Sequence, residues 1–430
     1  MEHKIKNFST LAYSSLRKQA LEIAEAGFEA IDTQSSVKQK VVYIQGKNIL
    51  KICNQKFELK KFKRIVCVGF GKAALLAAAE VQKILKDKIA CGFVIDLKEG
   101  SLGNIVCRVG THPYPTKVNV KATKELVSML EACTEEDLVI CVVSGGGSAL
   151  LCDPHEMSCE QETEIISALT VQGANILELN TVRKHISKVK GGQLAKIIYP
   201  ATCISLIFSD VPGDDLGIVA SGPTVKDSST MNDAVKILKR YNILEKLELR
   251  NFKLNETPKE NKYFQNIYNF LLVSPKQALF AMSEKALEFG FEVKIFSDKF
   301  QGEARDLGSK IVSASEKGLC LLGAGESTVK IIGNGKGGRN AEMALAALLN
   351  IGENQVLICL ASDGHDNSDA AGAIVDALTL KKSKTLNFEL RASLDNNDSY
   401  NFFKLTDSLI FTGSTGSNVS DFFVCLRGFS

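Results

Sequence analysis

A chain of 430 residues, 45% hydrophobic and 23% charged, exceeds what one core usually supports, so two domains are expected. Its formal charge of +3 is small and mixed in sign, which excludes an electrostatic footprint for nucleic acid or an anionic membrane and points to small-molecule chemistry. No apolar run approaches the roughly 18 residues of a membrane span, MEHKIKNFST lacks a signal-peptide centre, and Cys67, Cys141, Cys320 and Cys359 sit in apolar runs, so a cytoplasmic protein is expected.

From about residue 64, short β-branched runs alternate with helical ones: RIVCVGF, KAALLAAAEVQKILK, CGFVIDL, a helix near 118–132, and DLVICVVS. The alternation predicts a parallel sheet with crossover helices. A long helical region over 160–197 and the strand CISLIFSD follow. Residues 241–268 are polar and lose periodicity over their second half, which sets domains of 1–240 and 241–430. The alternation then restarts with FLLVS, a helix over 276–289, FEVKIFSD, a helix over 303–316, GLCLLGAGES, TVKIIG, a helix opening at GKGGRNAEMALA, and VLICLASDG. A helix near 370–382 and the strands SLIFTG and FFVCLRG complete it. Both halves read as α/β.

Open α/β sheets bind ligands beyond the carboxyl ends of their strands, so the residues after each strand carry the functional signal. In VGFGKAALLA, Gly69 and Gly71 free the backbone to approach an anion, and Lys72 stands at the helix start. The same residues match a relaxed dinucleotide fingerprint, Gly69, Gly71 and Ala74, with Asp96 as a ribose partner. In VVSGGGSALL, Ser144, Gly145, Gly146, Gly147 and Ser148 form an anion nest of backbone N–H groups and hydroxyls. LNTVRKHISKVKGGQLA crowds Asn180, Arg183 and Lys190 together, and the planar fork of Arg183 suits a carboxylate or phosphate. Asp210 and Asp214, in IFSDVPGDDLG, suit Mg2+, which takes one or two protein carboxylates.

In the second half, Gly337, Gly338, Arg339 and Asn340 open a helix and form a further anion-facing turn, while Glu326, Asp363 and Asp366 supply carboxylates after strands. Cationic turns alongside carboxylate loops are what phosphoryl transfer needs: one set neutralises the phosphoryl, the other holds metal and orients the nucleophile. A kinase is the simplest reading.

The motifs VGFGKAA, THPYP, VVSGGGSALL, LNTVRKHISKVKGGQLA, LIFSDVPGDDLGIVASGPT, GEAR, GESTVKIIGNGKGGRNAEMALA, SDGHDNSDAAGAIVD, NNDSYNFF and FTGSTGSNVSD run in order from about residue 64 to 424. As a set they resemble the glycerate 2-kinase family. The resemblance implies an α/β fold of two domains, a Rossmann-like N-terminal domain and an α/β MOFRL C-terminal domain, with the active site in the cleft between them. It implies phosphorylation of D-glycerate at its 2-hydroxyl with ATP and Mg2+. The family's cleft lysine and arginine fall on Lys72 and Arg339, expected with Asp210 to be catalytic. Two departures stand out: Ser362-Asp363-Gly364-His365-Asp366-Asn367 where TDG and then Asp-Gly are usual, and GSTGSN where GPTGTN is commoner.

Arg339 or Arg183 is expected to clamp the glycerate carboxylate, with Lys72 and Ser144–Ser148 receiving phosphate charge. Metal and base roles stay divided among Asp210, Asp214, Glu326 and Asp363. Two rivals remain: an NAD(P)-linked hydroxypyruvate reductase, and a non-catalytic nucleotide- or sugar-acid-binding protein. D-glycerate and ATP are the expected partners, without nucleic acid or membrane, and the assembly is open, a homodimer being compatible with it.

Overall fold

The computed structural model describes residues 3–211, 213–247 and 253–429. Its contacts divide the chain into two units, one of Ser36–Asp210 and Asp214–Leu272, the other of Met1–Ser35, Val211–Gly213 and Val273–Ser430. This division differs from a cut at 240/241. The polar stretch after 241 belongs to the first unit because the chain has still to add a strand to its sheet. Residues 248–252 of that stretch lie outside the described residues.

The first unit opens with an antiparallel sheet of β1 (Val41–Ile44), β2 (Ile49–Ile52) and β3 (Gln55–Glu58). Its main sheet contains β4 (Arg64–Phe70), β5 (Ile89–Asp96), β6 (Gly100–Leu102), β7 (Ile105–Val109), β8 (Asp137–Val143), β9 (Thr202–Phe208) and β10 (Ile267–Val273), in the order β10-β9-β8-β4-β5-β7-β6. The pairs β4/β5, β4/β8, β5/β7 and β8/β9 are parallel, as the alternation predicts, and β6 is an antiparallel edge. Every residue of β8 is buried, which explains the unbroken apolar run LVICVV after Asp137. The expected helix over 160–197 is three helices, Cys159–Val171, Ile176–His185 and Gln193–Ile198. Asn175 caps the second through its side chain, and Gly191 and Gly192 take left-handed dihedrals before the third.

The second unit holds β11 (Glu292–Glu303), β12 (Leu319–Thr328), β13 (Gln355–Ala361), β14 (Gly372–Asp376), β15 (Leu409–Ile410) and β16 (Asp421–Arg427), ordered β11-β12-β16-β13-β14-β15. Only β11/β12 is parallel; β16 pairs antiparallel with both β12 and β13. GAGEST lies inside β12, and TVKIIG forms no strand of its own. The expected helix near 370–382 is β14 followed by a helix over Ala377–Thr385. AGAIVD is apolar on both faces, and such a short run reads equally as buried strand or buried helix.

The helix Ser15–Ala30 buries Ala20, Leu21, Ile23, Ala24 and Phe28 against the helix Pro275–Glu288 and strands β13 and β16. A Cβ on Gly27 would lie 2.7 Å from Met282 Sδ, so glycine there lets the two helices close. Arg17, fully buried, donates to Asp376 at 2.6 and 3.0 Å and to Thr379 at 2.6 Å. That bidentate pair ties the opening helix to the end of β14.

Candidate functional site

In the first unit the chain leaves β4 toward β5 and β7, then returns across β4 to β8 and β9. Such a reversal opens a crevice at the carboxyl ends of β4 and β8, the usual ligand position in this architecture. The two glycine-rich loops meet there. Lys72 N donates to Gly145 O at 2.9 Å, Ala73 N to Ser144 Oγ at 3.1 Å and Ser144 N to Phe70 O at 3.1 Å. Gly71 has φ +118°, and a Cβ on it would stand 2.2 Å from Ser144 Oγ, so any other residue would drive the loops apart. Gly146 turns left-handed at φ +77°. The amides of Gly145 and Gly146 meet no acceptor among the described residues, and neither does the Lys72 ammonium. These donors are free to receive an anion.

A pocket of 240 Å³ adjoins the turn, lined in part by His112, Gly146, Ser148, Glu162, Thr163 and Arg183. Arg183 makes no hydrogen bond or ion pair with any described residue. Burial pulls its pKa down, against the opposing charge of Glu162. Lys190 is different. It is fully buried and donates to Glu162 Oε1 at 2.7 Å, while Cys152 Sγ donates to the other Glu162 oxygen at 3.4 Å. Lys190, expected to bind phosphate, here holds Glu162 in the pocket wall. Asn180, also buried, accepts from Ser221 Oγ at 2.8 Å, and Ser221 Oγ lies 2.9 Å from Ser148 Oγ. Asn180 thus orients Ser148 through Ser221 and does not itself line the pocket. Ala220 and Ser221 adopt φ of 49° and 62°, a left-handed conformation costing on the order of 1 kcal/mol for residues with a Cβ. The strain sits beside Ser148.

Asp96 is buried and accepts from Leu75 N at 2.9 Å and from Leu97 N at 2.6 Å, so both oxygens serve the backbone, away from a ribose. Asp210 follows β9, and Asp214 turns left-handed at φ 59°. Asp215 accepts from Gly217 N at 2.8 Å and shapes the same loop.

The second unit has its own pocket, of 540 Å³, lined in part by Glu326, Gly337, Gly338, Arg339, Asp363, Asp366 and Asp421. The glycines here answer to packing. A Cβ on Gly333 or Gly335 would lie 2.4 or 2.5 Å from Asn396 atoms, on Gly337 2.3 Å from Ser399 Oγ, and on Gly338 2.1 Å from Asp366 O. The segment zips onto NNDSY: Gly335 N donates to Asn396 O, Lys336 N to Asp398 Oδ1 and Tyr400 N to Lys336 O, all at 2.8 to 2.9 Å.

The helix Arg339–Ala347 does not offer its first amides to a ligand, because Asp366 accepts from Asn340 N at 3.0 Å, Asn340 Nδ2 at 3.2 Å and Ala341 N at 2.7 Å. Asn340 N and Nδ2, expected to face an anion, are both taken by Asp366, which caps the helix. Burial raises the Asp366 pKa against those donors. Arg339 gives Nε and Nη2 to Asp421 at 2.5 and 3.1 Å, and Nη2 also to Glu326 at 3.2 Å. Burial lowers its pKa, but Asp421 and Glu326 outweigh burial and the net shift is upward. Burial pushes Asp421 up to about 7, Arg339 opposing and Asp366 and Glu326 reinforcing. Asp363 accepts from His365 N at 2.9 Å.

The structure therefore gathers Lys72, Ser144–Ser148 and Arg183 in one unit and Arg339, Glu326, Asp363 and Asp366 in the other. Asp421 and His112 were not singled out from sequence. Their only signal was membership of the NVSD and THPYP motifs.

A switch-point crevice whose loop amides and cations have no protein partner among the described residues is the arrangement expected of an α/β protein that takes anionic small molecules. Comparison with known proteins narrows that class. Residues 19–252 match the family model described as a domain of unknown function, DUF4147, and residues 319–421 match the MOFRL family. The chain is 35% identical to the D-glycerate 2-kinase of Thermotoga maritima, over 96% of this chain and 98% of that protein. It is 38% identical to an Agrobacterium vitis protein provisionally named hydroxypyruvate reductase, over 85% of this chain and 87% of the relative. The crystal structure of a glycerate kinase from Thermotoga maritima superposes with a TM-score of 0.83 at 34% identity, covering 96% of this chain and 99% of that one. The chain belongs to the glycerate 2-kinase family.

Proposed function

We propose that this protein transfers the γ-phosphoryl group of ATP to the 2-hydroxyl of D-glycerate, giving 2-phosphoglycerate and ADP. One observation carries the reading: free loop amides beside Lys72 adjoin a pocket in which the Arg183 guanidinium has no protein partner. Phosphoryl transfer needs positive groups on the phosphates and a fixed acceptor. Lys72 and the amides of Gly145 and Gly146 take phosphate charge. Arg183 clamps the glycerate carboxylate in two bonds, a task that suits it better than Arg339, whose Nε and Nη2 already face Asp421 and Glu326.

Mg2+ is the metal proposed. Among the described residues no three His, Cys, Asp or Glu side chains converge, and this ion needs only one or two carboxylates beside phosphate oxygens and water. Asp210 and Asp214 would hold it, and when bound it would neutralise charge on the phosphates. No described helix is long and apolar enough to cross a membrane. With twelve free cysteines, the cytoplasm is the compartment proposed.

The reductase reading loses support from Asp96, whose oxygens are taken by Leu75 and Leu97 amides. Incubation with ATP, Mg2+ and D-glycerate should release ADP and yield a product that enolase consumes directly. NADH oxidation with hydroxypyruvate, or binding of both substrates without turnover, would overturn the proposal.

A further inference from the structure

His112 stands on the rim of the pocket that holds Arg183, on the loop between β7 and the helix Lys117–Glu131. Its place is fixed from behind. The buried Asn119 side chain donates to Thr111 O and Ala149 O, both at 2.9 Å, and accepts from Thr111 N at 3.0 Å. The loop is thereby tied to the turn after β8. The ring lies directly over Gly146: a Cβ there would come within 3.1 Å of His112 Cδ2 and 3.3 Å of Nε2. The same Cβ would also meet Lys72 Cγ at 3.1 Å, so imidazole, ammonium stem and glycine turn share one spot.

Neither ring nitrogen of His112 has a hydrogen-bond partner among the described residues, although the residue is half-buried. A polar ring on the pocket rim with no protein partner for either nitrogen, beside an equally unpartnered guanidinium, is placed for a ligand. Glu162, Tyr114 and Arg183 also line the pocket, but Glu162 is committed to Lys190 and Cys152.

Resting on the kinase reading above, we propose that His112 contacts the reacting hydroxyl of the acceptor 2-hydroxy acid and takes its proton as the phosphoryl group moves. The new bond joins that oxygen to the γ-phosphorus. The bond from phosphorus to the β-bridging oxygen breaks with its electrons leaving on ADP, and the hydroxyl proton passes to an imidazole nitrogen and then to solvent. Burial, and then the charge of Lys72, hold the His112 pKa down to about 4, so the ring is neutral and able to accept. A nucleotide phosphate on Lys72 offsets that charge and makes the imidazole a stronger base only when the donor is bound.

The test uses the full chain with ATP, Mg2+ and D-glycerate. His112→Ala should lower kcat by about 10²-fold or more while KM for D-glycerate moves less than about threefold, and added imidazole should restore part of the rate. His112→Gln, which keeps hydrogen bonding and fills the space, should stay folded and remain slow. Full activity of His112→Gln overturns the proposal, as does a folded His112→Ala enzyme that imidazole cannot rescue. Absence of ADP release from the unaltered chain would instead sink the kinase reading.

Discussion

Two glycine-rich turns, each with a nearby arginine, look alike in sequence and differ in what they are for. In SGGGS, Gly146 is left-handed, two amides are free, and Arg183 in the adjoining pocket lacks a protein partner. In GNGKGGRN, the glycines are demanded by the backbone of Asn396–Ser399 and by Asp366, the helix amides are capped, and Arg339 is gripped by Asp421 and Glu326. One turn leaves its amides without an acceptor among the described residues. The other spends its own on Asp366 and the Asn396–Tyr400 segment. Glycine content alone says nothing about which; the partners of the amides decide.

The contrast breaks most visibly when each arginine is removed. Arg183→Met should cut kcat/KM for D-glycerate by about 10²- to 10³-fold, roughly 3–4 kcal/mol of transition-state binding, while Tm stays level or rises, because a partly buried unpaired cation contributes no stability. Arg339→Ala should unfold more easily by on the order of 3 kcal/mol, the low end for a broken buried pair, since its 36% exposed side chain is partly screened while Asp421 is left buried without its cation. Parallel urea titrations and steady-state assays would check both. Equal loss of stability in the two variants would erase the distinction.

Asp421 sharpens the comparison through pH. Its carboxyl titrates at about 7 in the folded chain against an ordinary 3.8, so between those values the folded state keeps a proton that the unfolded state has released. Stability therefore falls as pH rises through that window, Asp366 contributing in the same direction. Asp421→Asn should flatten the fall, read as Tm against pH from about 4 to 7. An unchanged slope would mean that the Arg339 pair keeps Asp421 ionised throughout.

Much of this was legible from residue patterns. The parallel alternation, the strand-end rule and the VGFGK and SGGGS loops follow from local composition, which a turn or a strand cannot hide. What stayed hidden depends on distant partners. Lys190 looks like a surface lysine before a glycine turn, and only Glu162, packed beneath it, makes it structural. Asn340 looks like a ligand donor until Asp366 arrives from the next strand's loop. The helix Ser15–Ala30 has an apolar face, but nothing local says that it docks on Pro275–Glu288. AGAIVD failed for the opposite reason: a strand buried on both faces has no period to detect.

Asn367, where the resemblance implies a glycine, tests whether the second turn is shaped by backbone or by substrate. It sits left-handed at φ 53°, a conformation that Asn tolerates better than most residues, and its Nδ2 donates to Gly337 O at 3.0 Å. The asparagine thus keeps the glycine dihedral and adds a tether between the SDG loop and the glycine segment. Asn367→Gly should lose about 0.5–1 kcal/mol, from one partly exposed hydrogen bond and the greater freedom of the unfolded glycine, with KM for D-glycerate unchanged within about twofold. Asn367→Val should cost more, because a β-branched residue resists positive φ. A tenfold rise in KM for the glycine variant at unaltered stability would make Asn367 a substrate contact and the second turn a ligand-facing one after all.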